Sequence, residues 1–278
     1  MAITAKDVKR LREATDAGMM DCKKALVETD GDFEKAVELL RKKGIAKASK
    51  RQDREANEGA VFIQSNADNT GAVIIELNSE TDFVARNDDF QALGNKIAAL
   101  AGAENPADLE ALKALPFEGS TVGETVTGAS AVIGEKIELS KYAAIDGEAV
   151  VTYLHPGSRV GVAVAFAKVD GNIAEVGKDV AMQIAAMKPL AIDKDGIDQG
   201  VIDKEIEIGK EQARATGKPE AILEKIARGK LNKFFKDNTL INQDFVKDTS
   251  KSVGQYIKES LGKEAAVTSF QLVQLGAK

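Results

Sequence analysis

Side chains able to do covalent chemistry are scarce in this chain. Its 278 residues include one histidine, His155, and one cysteine, Cys22. A metal site or an acid–base pair built on several imidazoles is therefore not on offer. No glycine-rich phosphate loop, dinucleotide fingerprint or nucleophile elbow occurs. The run Ser79-Glu80-Thr81-Asp82-Phe83-Val84-Ala85-Arg86-Asn87 stands out instead. It places a large aromatic, Phe83, beside a carboxylate, Asp82, where an apolar run gives way to a helical pattern. Thr81 and Val84 flank the pair. Such a group suits insertion into another protein better than chemistry on a small molecule, since a Phe that fills a partner's pocket is worth roughly 2–4 kcal/mol.

Local pattern leaves a second reading open. Ser79 and Asp82 have capping-box spacing, and Phe83 lies seven residues before Phe90, so one continuous helix would turn both rings toward a core. Against this, Asn87-Asp88-Asp89 has the composition of a fresh helix cap and would break the phase. Three further spots carry candidates. At Met19-Met20, neighbours cannot share a helix face, so Met19 is expected in a core and Met20 outside it as a soft, adaptable contact. Ile133-Gly134 marks a break before Lys136–Leu139, either an apolar tip or a buried strand end. His155 sits in the turn Leu154-His155-Pro156-Gly157-Ser158-Arg159-Val160-Gly161, where it either bonds locally or meets a partner.

These candidates need a scaffold, and the composition supplies one. Apolar residues make up 44% of the chain, enough for a sizeable core in roughly two domains. No apolar run approaches the ~20 residues of a membrane span. The opening Met1–Asp7 has neither the pattern of a signal peptide nor that of a transit peptide. A lone cysteine fits a reducing cytoplasm. Charge is uneven: residues 1–54 carry 14 Lys/Arg against 10 Asp/Glu, and the remainder 24 against 34. With no tryptophan and 5% aromatics, nucleic-acid binding is not expected. The basic stretch Arg41, Lys42, Lys43, Lys47, Lys50, Arg51 and Arg54 reads as a solvated helical linker.

Residues 1–54 read as a three-helix module. Thr4 with Asp7 forms a capping-box pattern. Val8, Leu11 and Ala14, then Met19, Cys22 and Leu26, then Phe33, Ala36, Val37 and Leu40 recur at helical spacing. Gly44 is the expected stop. Residues 55–145 read as the first half of an α+β core. Gly59–Ile63 and Gly71–Leu77 form a hairpin, and two helices follow Thr81. Val122–Val126 and Ile137–Ile145 remain strand or helix. The second half, 146–187 and 231–278, repeats the plan: Gly71–Leu77 answers to Gly161–Ala167 and Lys96–Leu100 to Gln183–Met187. Residues 188–230 insert an antiparallel helical hairpin with thin apolar stripes, which either packs on its own core or meets a second copy. Residues 245–261 read as one more helix and Ala266–Leu275 as a last strand.

Together these pieces resemble the bacterial elongation factor Ts family, the guanine-nucleotide exchange factors for elongation factor Tu. The resemblance covers nearly the whole chain. It rests on Gly18-Met19-Met20-Asp21-Cys22-Lys23-Lys24-Ala25-Leu26, Thr81-Asp82-Phe83-Val84-Ala85, His155-Pro156-Gly157-Ser158-Arg159-Val160-Gly161-Val162 and Val253-Gly254-Gln255. It implies a ubiquitin-associated-like N-terminal module and a non-enzymatic exchange factor needing no cofactor or metal of its own. It also implies that Thr81, Asp82, Phe83 and Val84 act on the partner near the nucleotide's magnesium. Met19, Met20, Ile133, Gly134 and His155 would be further contacts. A ubiquitin-associated-like adaptor that only tethers a partner through residues 1–54 is the competing expectation.

Overall fold

The computed structural model describes residues 3–15, 17–49 and 53–277. Tertiary contacts divide it into two units. The first comprises Met1–Phe62, Ile75–Tyr142 and Leu275–Lys278, and the second Ile63–Ile74 and Ala143–Gln274.

The first unit begins with three helices, α1 (Ala5–Thr15), α2 (Met19–Glu28) and α3 (Phe33–Ser49). Thr4 and Asp7 do form the reciprocal cap, the Thr4 N–H donating to Asp7 Oδ2 at 2.9 Å and the Asp7 N–H to Thr4 Oγ1 at 3.3 Å. Val8, Leu11, Cys22, Ala25, Leu26, Ala36 and Leu40 make a separate small core. Two expectations change here. Met19 is 50% exposed and Ala14 is exposed as well. Met19 is the first residue of α2 and lies at the edge of the small core rather than within it. Gly44 does not stop α3, which continues to Ser49. A glycine terminates a helix where the chain turns left-handed, and within a continuing helix it only costs propensity. The basic stretch is helical as expected through Lys47, with Arg41, Lys42 and Lys43 exposed; Lys50 and Arg51 lie outside the described residues.

Beyond the module come strands β1 (Glu58–Ser65) and β2 (Gly71–Ser79), joined by the expected hairpin, which the Asn66 N–H closes by donating to the Gly71 carbonyl at 3.0 Å. All nine residues of β2 are buried, as expected of a central strand. Next are α4 (Asp82–Ala85), α5 (Asp88–Glu104), α6 (Leu109–Ala114), the short pair β3 (Pro116–Phe117) and β4 (Ser120–Thr121), α7 (Val122–Ile133) and β5 (Glu138–Asp146). The sheet order is β1-β2-β5. α5 lies close on this sheet: a Cβ on Gly94 would stand 2.2 Å from the Phe62 ring. Val122–Val126 thus resolves as helix and Ile137–Ile145 as strand. Thr121 decides the first, since its side chain caps α7 by accepting from the Glu124 N–H.

The second unit repeats the order. β6 (Ala149–Leu154) and β7 (Val160–Ala167) form an antiparallel hairpin, and α8 (Ile173–Met187) follows. Gly177 lets α8 approach the sheet, since a Cβ at that position would lie 2.5 Å from the Val151 side chain. Then come α9 (Gln199–Ala215), α10 (Glu220–Asn238), the pair β8 (Asp244–Phe245) and β9 (Asp248–Ser252), α11 (Val253–Leu261) and β10 (Ala266–Gln274). β7 is central in the order β10-β7-β6, as β2 is in its sheet. A short strand pair and a capped helix precede the last strand in both series. The core gathers Val162, Val164, Phe166, Val180, Ile184, Leu240, Val253 and Ile257.

Helices α9 and α10 make the inserted hairpin. Its interface is narrow because Gly209 faces Ala227, and Ala213 and Leu223 are buried beside them. α10 continues to Asn238, eight residues past the expected boundary of the insertion at 230: Gly229 stays helical there, and Phe234 and Phe235 extend the apolar pattern with no proline to interrupt it. The helix expected over 245–261 starts only at Val253. Ser252 and Gln255 form a capping box there, and the preceding residues are β8 and β9.

Candidate partner-binding site

Phe83 is 81% exposed while Phe90 is fully buried, so the two rings do not share a core face. The cause is the break between α4 and α5. The Asn87 side chain accepts from the Asp89 N–H at 2.8 Å and starts a new helix, resetting the rotational phase after one turn. Phe90 follows α5 into the core, and Phe83 stays on a four-residue helix with its ring in water. Ser79 is not the cap of α4, contrary to the capping-box spacing. Its side chain is buried, its hydroxyl donates to the Thr81 carbonyl at 2.8 Å, and Thr81 itself caps by accepting from the Val84 N–H at 3.4 Å. Asp82 is half-buried and pairs with Arg86 one turn on, at 2.9 Å. Val84 is half-buried and Ala85 buried, which anchors the turn carrying Phe83.

The first unit brings a second candidate to this turn. Ile133 ends α7 half-buried, and Gly134 closes the helix with φ of 88°, a conformation that favours glycine. The next residue, Glu135, places both carboxylate oxygens on Thr81: the Thr81 N–H donates to Oε2 at 3.0 Å and its hydroxyl to Oε1 at 2.8 Å. Glu80 reaches the opposite way, accepting the Lys136 N–H at 2.6 Å and the Arg54 guanidinium at 3.2 Å. Pattern reading missed Glu80 and Glu135. Thr81 and Glu135, and Lys136 and Glu80, lie more than fifty residues apart in sequence, and no local spacing announces such a pairing.

The remaining candidates are distributed. Met19 and Met20 are both exposed, at 50% and 62%, and Val27, which the sequence did not single out, is exposed on the same helix. Gly18 and Asp21 near them share a groove of about 930 Å³ with Leu93, Val132 and Ile133. His155 belongs to the second unit. It is exposed, and its Nδ1 lies 2.8 Å from the Tyr153 hydroxyl, a local bond within one hairpin. Among the described residues, no group of three or more His, Cys, Asp or Glu side chains is placed to hold a metal ion, and no helix is long and apolar enough to cross a membrane.

An α+β scaffold offering exposed apolar side chains from short, well-anchored turns has the character of a protein-binding factor. The comparisons narrow that class. The model of the family described as elongation factor TS matches residues 80–277. The chain is 49% identical to the elongation factor Ts of Christiangramia forsetii over 99% of both chains. It is 50% identical to that of Amoebophilus asiaticus over the full length of both, and 50% identical to that of Cytophaga hutchinsonii over 98% of this chain and 99% of the other. The chain belongs to the elongation factor Ts family: it is a nucleotide exchange factor for elongation factor Tu in translation elongation, not an enzyme. The adaptor reading, a tether without exchange activity, is thereby set aside.

Proposed function

We infer that Thr81, Asp82, Phe83 and Val84 form the group that drives GDP from elongation factor Tu, by disturbing the site where the partner holds magnesium and phosphate. The observation that carries this reading is the 81% exposure of Phe83 on a turn whose start is tied by two hydrogen bonds to the segment 135–136. An uncovered aromatic on an anchored backbone has only its own rotamers to fix on docking, so most of its burial is available to the complex. Asp82, beside it, brings negative charge toward a cluster in which magnesium offsets phosphate charge. Met19, Met20, Ile133 and Gly134 supply further contacts from the first unit, and His155 one from the second.

No bond is made or broken. The factor accelerates release because it binds the nucleotide-poor partner more tightly than the GDP-bound one, and linkage makes the effect mutual: GDP weakens the factor as much as the factor weakens GDP. Fresh nucleotide then displaces the factor, and the reaction runs in the cytoplasm. The test is GDP release from elongation factor Tu with and without chelation of magnesium. Chelation should speed spontaneous release and shrink the factor's advantage. An advantage of equal size with and without magnesium would refute action through the metal site.

A second reading concerns self-association. The hairpin of α9 and α10 packs on itself, yet leaves Val201 at 37% and Ile222 at 40% exposure. A homodimer through the hairpin would cover them. Sedimentation of a Val201→Asp, Ile222→Asp double variant as the same species as the parent chain would discard it.

A further inference from the structure

Glu80 and Glu135 stand in a reciprocal arrangement that the exchange reading does not use. Each carboxylate leaves its own segment and takes the backbone N–H next to the other: Glu135 accepts Thr81 N–H at 3.0 Å, and Glu80 accepts Lys136 N–H at 2.6 Å. The two residues are thus crossed over one another's chain. One segment leads into the turn that bears Phe83, and the other leaves Ile133-Gly134. Hydrogen bonds to charged acceptors are shorter and roughly twice as strong as neutral ones, and two crossing bonds remove sliding as well as separation. Glu135 adds a third bond through the Thr81 hydroxyl at 2.8 Å.

We propose that Glu135, with Glu80, is a positioning residue for exchange: the crossed pair locks the turn carrying Phe83 to the end of α7, so that Phe83, Ile133 and Gly134 meet the partner as one rigid edge. The proposal rests on the reading of Phe83 given above. Its physical content is that α4, one turn long, cannot hold an aromatic ring steady by its own hydrogen bonds. A single helical turn is not self-supporting. Misplacement of a reacting or wedging group by about an ångström is enough to cost a large factor in rate.

Length and polarity of the side chain separate a geometric role from a charge effect. Gln at 135 keeps both: its carbonyl oxygen can accept the Thr81 N–H and its amide can donate to the hydroxyl oxygen. Asp keeps the charge but falls one methylene short of spanning both atoms. The experiment measures release of a fluorescent GDP from elongation factor Tu over a range of full-length factor, separating the maximal rate from the half-saturating concentration. Glu135→Ala and Glu135→Asp should each lower the maximal rate roughly tenfold, the loss of one to two hydrogen bonds. Glu135→Gln keeps the span but not the charge assistance, so its rate should stay closest to the parent chain, and all three variants should keep thermal midpoints within a few degrees of it. Amide exchange at Thr81 should quicken in the Ala and Asp variants and not in the Gln variant.

Three outcomes would overturn the proposal. One is a parent-like maximal rate for both Ala and Asp. Another is full activity for Asp with loss for Gln, which would make the charge the active element. The third is a loss matched by an equal fall in half-saturating affinity with no change in amide exchange. Phe83→Ala run in parallel keeps the two ideas apart. If it slows release while Glu135→Ala does not, the lock is wrong and the wedge stands. If Phe83→Ala is silent, the wedge fails and takes the lock with it. Should the Ala variant fold poorly, the Asp and Gln pair carries the test alone.

Discussion

Phe83→Ala should leave the factor folded and slow what it does. A Phe side chain offers roughly 150–250 Å². With 81% of the residue in solvent, truncation to Ala removes little that the folded chain itself uses, so the stability change should stay within about 0.5 kcal/mol, the usual range for surface sites. The loss falls on the complex. Allowing for the methyl group that Ala keeps, on the order of 100 Å² of apolar surface is withdrawn from the partner, and at ~25 cal/mol per Å² this is about 2.5 kcal/mol. If that burial is realised only when nucleotide has loosened, it appears in the maximal rate of GDP release, as a fall of roughly 70-fold. If the ring is buried equally before and after loosening, it appears in half-saturating concentration alone. Stopped-flow release of a fluorescent GDP from elongation factor Tu, titrated to saturating factor, distinguishes the two. An unchanged maximal rate with an unchanged circular dichroism spectrum would refute the wedge.

Two other perturbations probe the scaffold. Gly94→Ala puts a methyl group 2.2 Å from the Phe62 ring, which is buried; the expected cost is about 1–3 kcal/mol, read as a lower urea midpoint at constant slope. Tyr256 stacks on Phe245 and donates to Asp179 at 3.0 Å, and burial, with the Asp179 carboxylate beside it, pushes its hydroxyl up to about 12. A folded value above the ordinary value near 10 means the folded chain holds the proton longer than the unfolded one. The resulting stability is complete below pH 10 and is lost as the pH rises from 10 through 12. Tyr256→Phe should flatten that part of a denaturation-midpoint profile, and an unchanged slope would show that another group governs it.

The α+β plan was readable because its signals are local. Thr4 with Asp7 and Asn87 before α5 each announce a helix start within four residues, and both caps form. The doubling was readable from two apolar strands with helices at a common offset, and β2 and β7 are indeed the central strands of their sheets. Misreadings came where a residue's role depends on what lies across from it. Met19 has the spacing of a core residue but opens its helix at the edge of the core. Gly44 has the character of a stop, but nothing turns the chain there. The strand pairs β3–β4 and β8–β9 are two to five residues long, too short for any alternation to show. The same limit hid the crossed glutamates, while the separation of Phe83 from Phe90 was already implicit in Asn87-Asp88-Asp89.

Leaving Phe83 in water also has a colloidal consequence for the factor between rounds of work. A lone ring of roughly 150–250 Å² is below the few hundred Å² at which an apolar patch begins to recruit unwanted neighbours. Its surroundings are ionic as well: Asp82 and Arg86 lie within one turn, and Asp88 and Asp89 stand exposed just beyond. Charges so close to an uncovered aromatic discourage a second chain from stacking on it. The ring is thereby left accessible without presenting a broad apolar patch to neighbouring chains.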